Sequence, residues 1–146
     1  MASIGRNLEI MAAVRLVNRN LSRVAAAVES QVKETMLTQA SLIAAEIKRV
    51  APVGTDENAG ALKASVRVEE GKSTAKKAFV VKIVAGDSKT KKSYRRGGYP
   101  RAIEYGTQHV PAQPFFWPIW RLRRKGARQA IRKVVVKALR DVFGDK

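Results

Sequence analysis

Apolar residues in this chain recur at helical spacing toward both ends and at alternating spacing in between. From Asn20 onward, Leu21, Val24, Val28, Val32, Met36, Ile43 and Ile47 advance by three, four or seven residues, with Ala25, Ala40 and Ala44 filling the stripe. Glu29, Lys33, Glu46 and Lys48 mostly fall off it. The pattern predicts a long amphipathic helix ending near Val50, because Pro52 pushes Ala51 out of helical geometry. Upstream, Ile4, Leu8, Met11 and Val14/Val17 also fit one helical face. The first twenty residues contain arginine and little acid, as an organellar transit peptide does, but Glu9 is out of place there and a helix is the reading taken.

Residues 52–61 are turn chemistry, with Pro, two Gly, Asp and Asn in ten positions. Next, Leu62, Ala64, Val66 and Val68 alternate with Lys63, Ser65, Arg67 and Glu69, which predicts a strand with one wet face. After a turn over residues 71–77, residues 78–86 read as a more buried strand, and the pair as an antiparallel hairpin. Residues 87–98 are polar, basic and glycine-ended, hence a mobile loop. Residues 99–105 suit a short strand or a helical turn, and two prolines force 106–114 to be extended.

Pro118 suits the first turn of a last helix, where its missing N–H costs nothing. Along that helix Ile119, Leu122, Ala127, Ile131, Val134, Val135, Ala138 and Val142 form the stripe, Gly126 is a place for a kink, and Gly144 is a stop. The fold class expected is α+β: a long N-terminal helix, a small antiparallel sheet (the hairpin plus further short strands) and a basic C-terminal helix. At 146 residues this is one domain, with a helical part at 1–50, a β-rich core at 60–118 and a helix at 118–143.

Charge changes the picture. The net charge is +17, and two blocks hold nearly all of the excess: residues 72–101 carry a net of +9 and residues 121–146 a net of +8. Polyphosphate or an acidic protein surface is the natural counterpart. The candidate DNA-facing cations are Lys89, Lys91, Lys92, Arg95 and Arg96 in the loop, and Arg121, Arg124, Lys125 and Arg128 in the last helix. With no cysteine and a single histidine, His109, the composition argues against a disulfide-stapled fold, a zinc site and the usual catalytic triads. No apolar run approaches the roughly 18 to 20 residues of a membrane span, so no membrane partner is expected.

Catalytic motifs are equally scarce. Glu104 and His109 make no mechanism without a nucleophile or a metal, and Gly97-Gly98 lacks the phosphate-cradling arrangement of a P-loop. Neither an enzymatic activity nor a cofactor is expected. The informative stretch is 99–120, YPRAIEYGTQHVPAQPFFWPIW, where Phe115, Phe116, Trp117 and Trp120 are too many large apolar groups for a free loop.

Within it, Ile103-Glu104-Tyr105-Gly106-Thr107 followed by Ala112-Gln113-Pro114-Phe115-Phe116-Trp117-Pro118 resembles the signature of a phage neck or tail-completion family. That family is named after the tenth gene product of an HK-type lambdoid phage. Upstream, Ala51-Pro52-Val53 and Gly60-Ala61-Leu62-Lys63-Ala64-Ser65-Val66 match the turn and strand opening that precede it there. The resemblance covers about residues 40–122. Two departures stand out: the compact Thr–Gly after the turn is expanded to residues 54–60, and Ile119 replaces a small residue.

The resemblance implies a structural virion protein that joins head and tail of a long-tailed phage or phage-like particle, in the neck, after assembly in the host cytoplasm. It implies a homo-oligomeric ring, hexameric or dodecameric, around packaged double-stranded DNA. Its neighbours would be a head-side connector or stopper and a tail tube or terminator protein. Glu104, Tyr105, Gly106, Thr107, Pro114, Phe115, Phe116 and Pro118 become the motif and subunit-interface candidates. Gly106 would make a backbone turn that no side chain tolerates, and Glu104 would pair with a basic residue, in its own subunit or a neighbour. With Pro114 and Pro118 holding the segment straight, Phe115 and Phe116 would point to opposite sides, one to the core and one to a neighbour; the alternative is that both are core. The alternatives are a tail terminator ring, and a sequence-independent nucleic-acid-binding protein of the ribosomal or nucleoid type, which the basic blocks support equally.

Overall fold

The strongest period in the sequence lies inside one unbroken helix that begins well before it. In the computed structural model, which describes residues 2–55, 59–72, 79–91 and 98–144, helix α1 spans Ala2–Val50 and so takes in residues 2–20 as well. Ala40, Ile43, Ala44 and Ile47 of its stripe are buried. The Ala51 N–H donates to the Ile47 carbonyl at 2.9 Å, closing the last turn just before Pro52.

The chain then turns through Gly60, at φ +80°, into a short helix α2 (Ala61–Ser65). This corrects the strand expected from residue 62. Leu62, Ser65 and Val66 are the buried positions, a spacing of three and four. Ser65 then holds the next element: its hydroxyl donates to the Leu62 carbonyl at 2.7 Å and accepts the Gly86 N–H at 2.9 Å.

Strands β1 (Arg67–Lys72) and β2 (Phe79–Val84) pair antiparallel from Arg67↔Val84 to Lys72↔Phe79. Val68 and Ile83, opposite one another, pack against the core. Two pairs further along that face, Lys33 of α1 bridges Glu70 at 3.0 Å and lies over the Phe79 ring. The hairpin therefore lies along α1. Among the described residues the sheet has these two strands; the further short strands expected are not among them, and 99–105 is helical.

Residues expected to be loop from position 87 begin as a helical turn, α3 (Ser88–Lys91). The Asp87 carboxylate accepts the Thr90 N–H at 2.9 Å, and the Thr90 hydroxyl accepts the Asp87 N–H at 2.7 Å. These reciprocal bonds cap the turn and bury Thr90. Residues 92–97 lie outside the described residues. Helix α4 (Gly98–Tyr105) follows, then an irregular segment, then α5 (Trp117–Phe143), which runs without a break through Gly126. Gly144 ends it at φ 71°, with its N–H on the Arg140 carbonyl.

The fold is α+β. α5 lies antiparallel to α1: Arg123 pairs with Glu46, while Ala127 and Ile131 line a cavity with Ile43, Ala40 and Met36. The core, formed by Ile43, Ala44, Ile47, Ala51, Leu62, Val66, Ile103 and Phe115, sits at the C-terminal end of α1. Among the described residues no helix is long and apolar enough to cross a membrane.

Candidate functional site

The motif residues meet in one joint, between the end of α4 and the start of α5. At Gly106 the backbone takes φ +76°, a left-handed conformation that side chains other than glycine rarely adopt. A Cβ there would sit 2.8 Å from the Ala112 nitrogen and 3.1 Å from the Val110 carbonyl oxygen. Thr107 ties the turn: its N–H donates to the Val110 carbonyl at 2.8 Å, and its hydroxyl accepts the N–H groups of His109 and Val110. The Gln113 N–H then donates to the Ile103 carbonyl at 2.8 Å, so the extended segment runs back along α4.

Gly106→Ala is expected to cost about 2–3 kcal/mol in denaturant unfolding, since backbone strain and a backbone clash coincide. Gly60→Ala, with open space around its Cβ, should cost only about 1 kcal/mol. Equal losses at the two glycines would mean that the close approach at Gly106 is of no consequence.

Among the described residues Glu104 has no basic partner, His109 included. Its side chain is buried, and its carboxylate faces three consecutive backbone amides. Oε2 accepts the N–H of Phe115 and of Phe116, each at 2.9 Å, and Oε1 accepts that of Trp117 at 3.0 Å. The start of α5 has no side-chain cap of its own and no acid in its first turn. Its orphan N–H groups and the positive end of its dipole therefore meet a negative charge supplied by another helix. Charged hydrogen bonds of this kind are the strong ones. Sequence reading singled out Glu104 but missed this role, because the partners are backbone groups eleven to thirteen residues away.

The joint sorts the aromatic residues. Phe115 is 1% exposed and belongs to the core; Phe116 is half-buried, with its ring edge-on to Phe115 at 6.4 Å. Trp117 is 41% and Tyr105 63% exposed, and Arg101 lies over the Tyr105 ring. Pro114 and Pro118 are exposed on either side. Phe116, Trp117, Tyr105 and Arg101 line an open cavity of about 860 Å³ between α4, the joint and the end of β2.

The second feature is α5 itself. Its stretch 121–140 holds nine basic residues and no acidic one. Arg123 points to α1 and is held by Glu46 through Nε at 2.7 Å and Nη2 at 2.6 Å, which raises its already high pKa. Arg121, Arg124, Lys125 and Arg128 are all exposed, as are Arg132 and Lys133. None of these six has an ion-pair partner among the described residues. Like charges three or four apart on a helix cost roughly 0.2–0.5 kcal/mol per pair. Of the loop candidates, Lys89 and Lys91 fall in α3, and Lys92, Arg95 and Arg96 lie outside the described residues. Among the described residues no cluster of acidic or histidine side chains could hold a metal ion.

The chain matches no family model, and no curated protein or solved structure matches it either.

Proposed function

We propose that this chain is a structural subunit of the neck or tail-completion type, joining head and tail of a long-tailed phage or phage-like particle as a ring around the DNA channel. One observation carries the reading. The residues that resemble the family signature are not scattered but build a single joint, in which Glu104 holds the start of α5 and Gly106 turns the chain toward it. That joint presents Phe116, Trp117 and Tyr105 at an open cavity, a rigid aromatic edge suited to a neighbouring subunit. Phe115 is fully buried, whereas Phe116 packs on the edge of the core and is only half-buried, so of the two adjacent rings Phe116 is the one with surface left for docking.

The experiment is assembly. The purified chain should form rings, seen by light scattering on a sizing column and by negative-stain microscopy. Phe116→Ala should leave the circular dichroism spectrum native while rings and joined particles are lost. Normal rings from a folded Phe116→Ala protein would remove this edge from the interface. A parent chain that remains monomeric, alone and in particle extracts, would reject the reading.

A second reading, a sequence-independent nucleic-acid-binding protein, draws on the acid-free α5. It predicts binding to nucleic acid by a chain that forms no ring. A tail terminator differs from a neck subunit in its neighbours, and locating the chain in a particle image separates the two.

A further inference from the structure

The cations of α5 are not equivalent once the helix is placed against α1. Ala127, Ile131 and Ala138 mark the inward side, and Arg123 lies beside them, bound to Glu46. Arg121, Lys125, Arg128 and Arg132 follow at intervals of four, three and four residues, which aligns them on one exposed, outward side, about a third of a turn round the helix from the inward one. Arg124 and Lys133 flank that line. At 1.5 Å per residue the line is about 16 Å long. Beyond it the exposed face changes character, with Val136, Leu139 and Phe143 exposed on the last turns.

We propose that this outward line on α5, Arg121, Lys125, Arg128 and Arg132 with Arg124 and Lys133 beside it, binds the phosphate backbone of double-stranded DNA without reading its sequence. A duplex carries one negative charge per roughly 1.7 Å of axis, so a row of this length faces about ten of them. Four cations in line, with no ion-pair partner among the described residues, suit such a polyanion better than a single small anion, which would engage one or two of them. The helix is also narrow enough to lie along a major groove roughly 12 Å wide. Arg123 takes no part, because Glu46 already holds it. The inference deepens the reading above and rests on it only for the identity of the duplex met in the particle. DNA binding by the isolated chain is measured independently of ring formation.

The test is the salt dependence of binding to two DNA duplexes of unrelated sequence, between about 50 and about 200 mM salt. Both should bind equally. Replacing Arg121, Lys125, Arg128 and Arg132 together by Gln keeps good helix formers at exposed sites. That variant should lower the slope of log affinity against log salt by about 3 to 4, since each lost phosphate contact removes about 0.9. Arg123→Gln should leave the slope at its parent value.

An unchanged slope in the fourfold variant would overturn the proposal, as would an equal change on Arg123→Gln alone. So would loss of the slope only when Lys89, Lys91, Lys92, Arg95 and Arg96 are replaced instead. Tighter binding to an RNA duplex, or binding to phosphatidylserine vesicles with none to duplexes, would assign the face to a different partner and overturn it too. Rings without DNA binding would end this inference and leave the proposed function standing. DNA binding through α5 without rings would do the reverse.

Discussion

Glu104→Ala is expected to destabilise the fold by about 3–5 kcal/mol, the loss typical of breaking a buried charged interaction from one side. The substitution leaves the N–H groups of Phe115, Phe116 and Trp117 without their acceptor, in a place where the first of them is sealed from water. It also strips the positive end of α5 of its compensating charge, next to a helix whose own first turns add only cations. Glu104→Gln keeps the shape and one carbonyl oxygen, so it should cost less, about 1–3 kcal/mol. Glu69→Ala, which breaks a half-exposed pair with Arg67, should cost under about 1 kcal/mol. Urea unfolding followed by circular dichroism ranks the three. A loss below about 1 kcal/mol for Glu104→Ala would mean that water reaches the three amides and that the carboxylate is dispensable.

Phe115→Ala should cost a similar amount, about 3–5 kcal/mol, by a different route. Phe115 is the largest of the fully buried side chains, and it shares the core cluster with Ile43, Ile47, Leu62, Val66 and Ile103, which come from three helices and the residue just before β1. Removing the ring opens a cavity where these elements converge, and such a site cannot collapse without moving helices. In a domain whose whole stability is about 5–15 kcal/mol, that loss leaves a large unfolded fraction. Phe116→Ala, at a half-buried ring, should cost distinctly less. Equal losses at the two positions would place both rings in the core and withdraw Phe116 from any interface. The two large effects act on the same joint from opposite sides, so their combination should fall short of the sum.

How much of this was legible beforehand differs by element. The stripe from Leu21 to Ile47 and the one from Ile119 to Val142 announced α1 and α5, because a period of 3.6 sustained over many residues has no competing explanation. The hairpin was legible from the alternation around Val68 and the apolar run at residues 79–84. Residues 62–66 were not. Leu62, Ala64 and Val66 alternate as a strand would, while Leu62, Ser65 and Val66 sit at helical spacing, and five residues are too few for period to decide. The contact of Ser65 with Gly86, twenty-one residues on, is where the helix gains its support. The short turn at Ser88–Lys91 was hidden for a related reason: its reciprocal cap is made by only two side chains, Asp87 and Thr90, inside a strongly basic run.

The candidate site divides along the same line. By itself the sequence determined the two long amphipathic helices, the hairpin between them, the requirement for glycine at the turn before 107, and the concentration of positive charge in two blocks. These follow from residue type and spacing, which are local properties. Tertiary structure alone decided that Glu104 caps the start of α5, because its partners are backbone amides, which every residue but proline carries and which no letter distinguishes. It also decided that Phe115 is fully buried while Phe116 is only half-buried, since adjacent rings are told apart only by what packs against them. And it separated Arg123 from the other cations of α5: the sequence shows nine basic residues alike, and only the place of α1 puts Glu46 beside one of them.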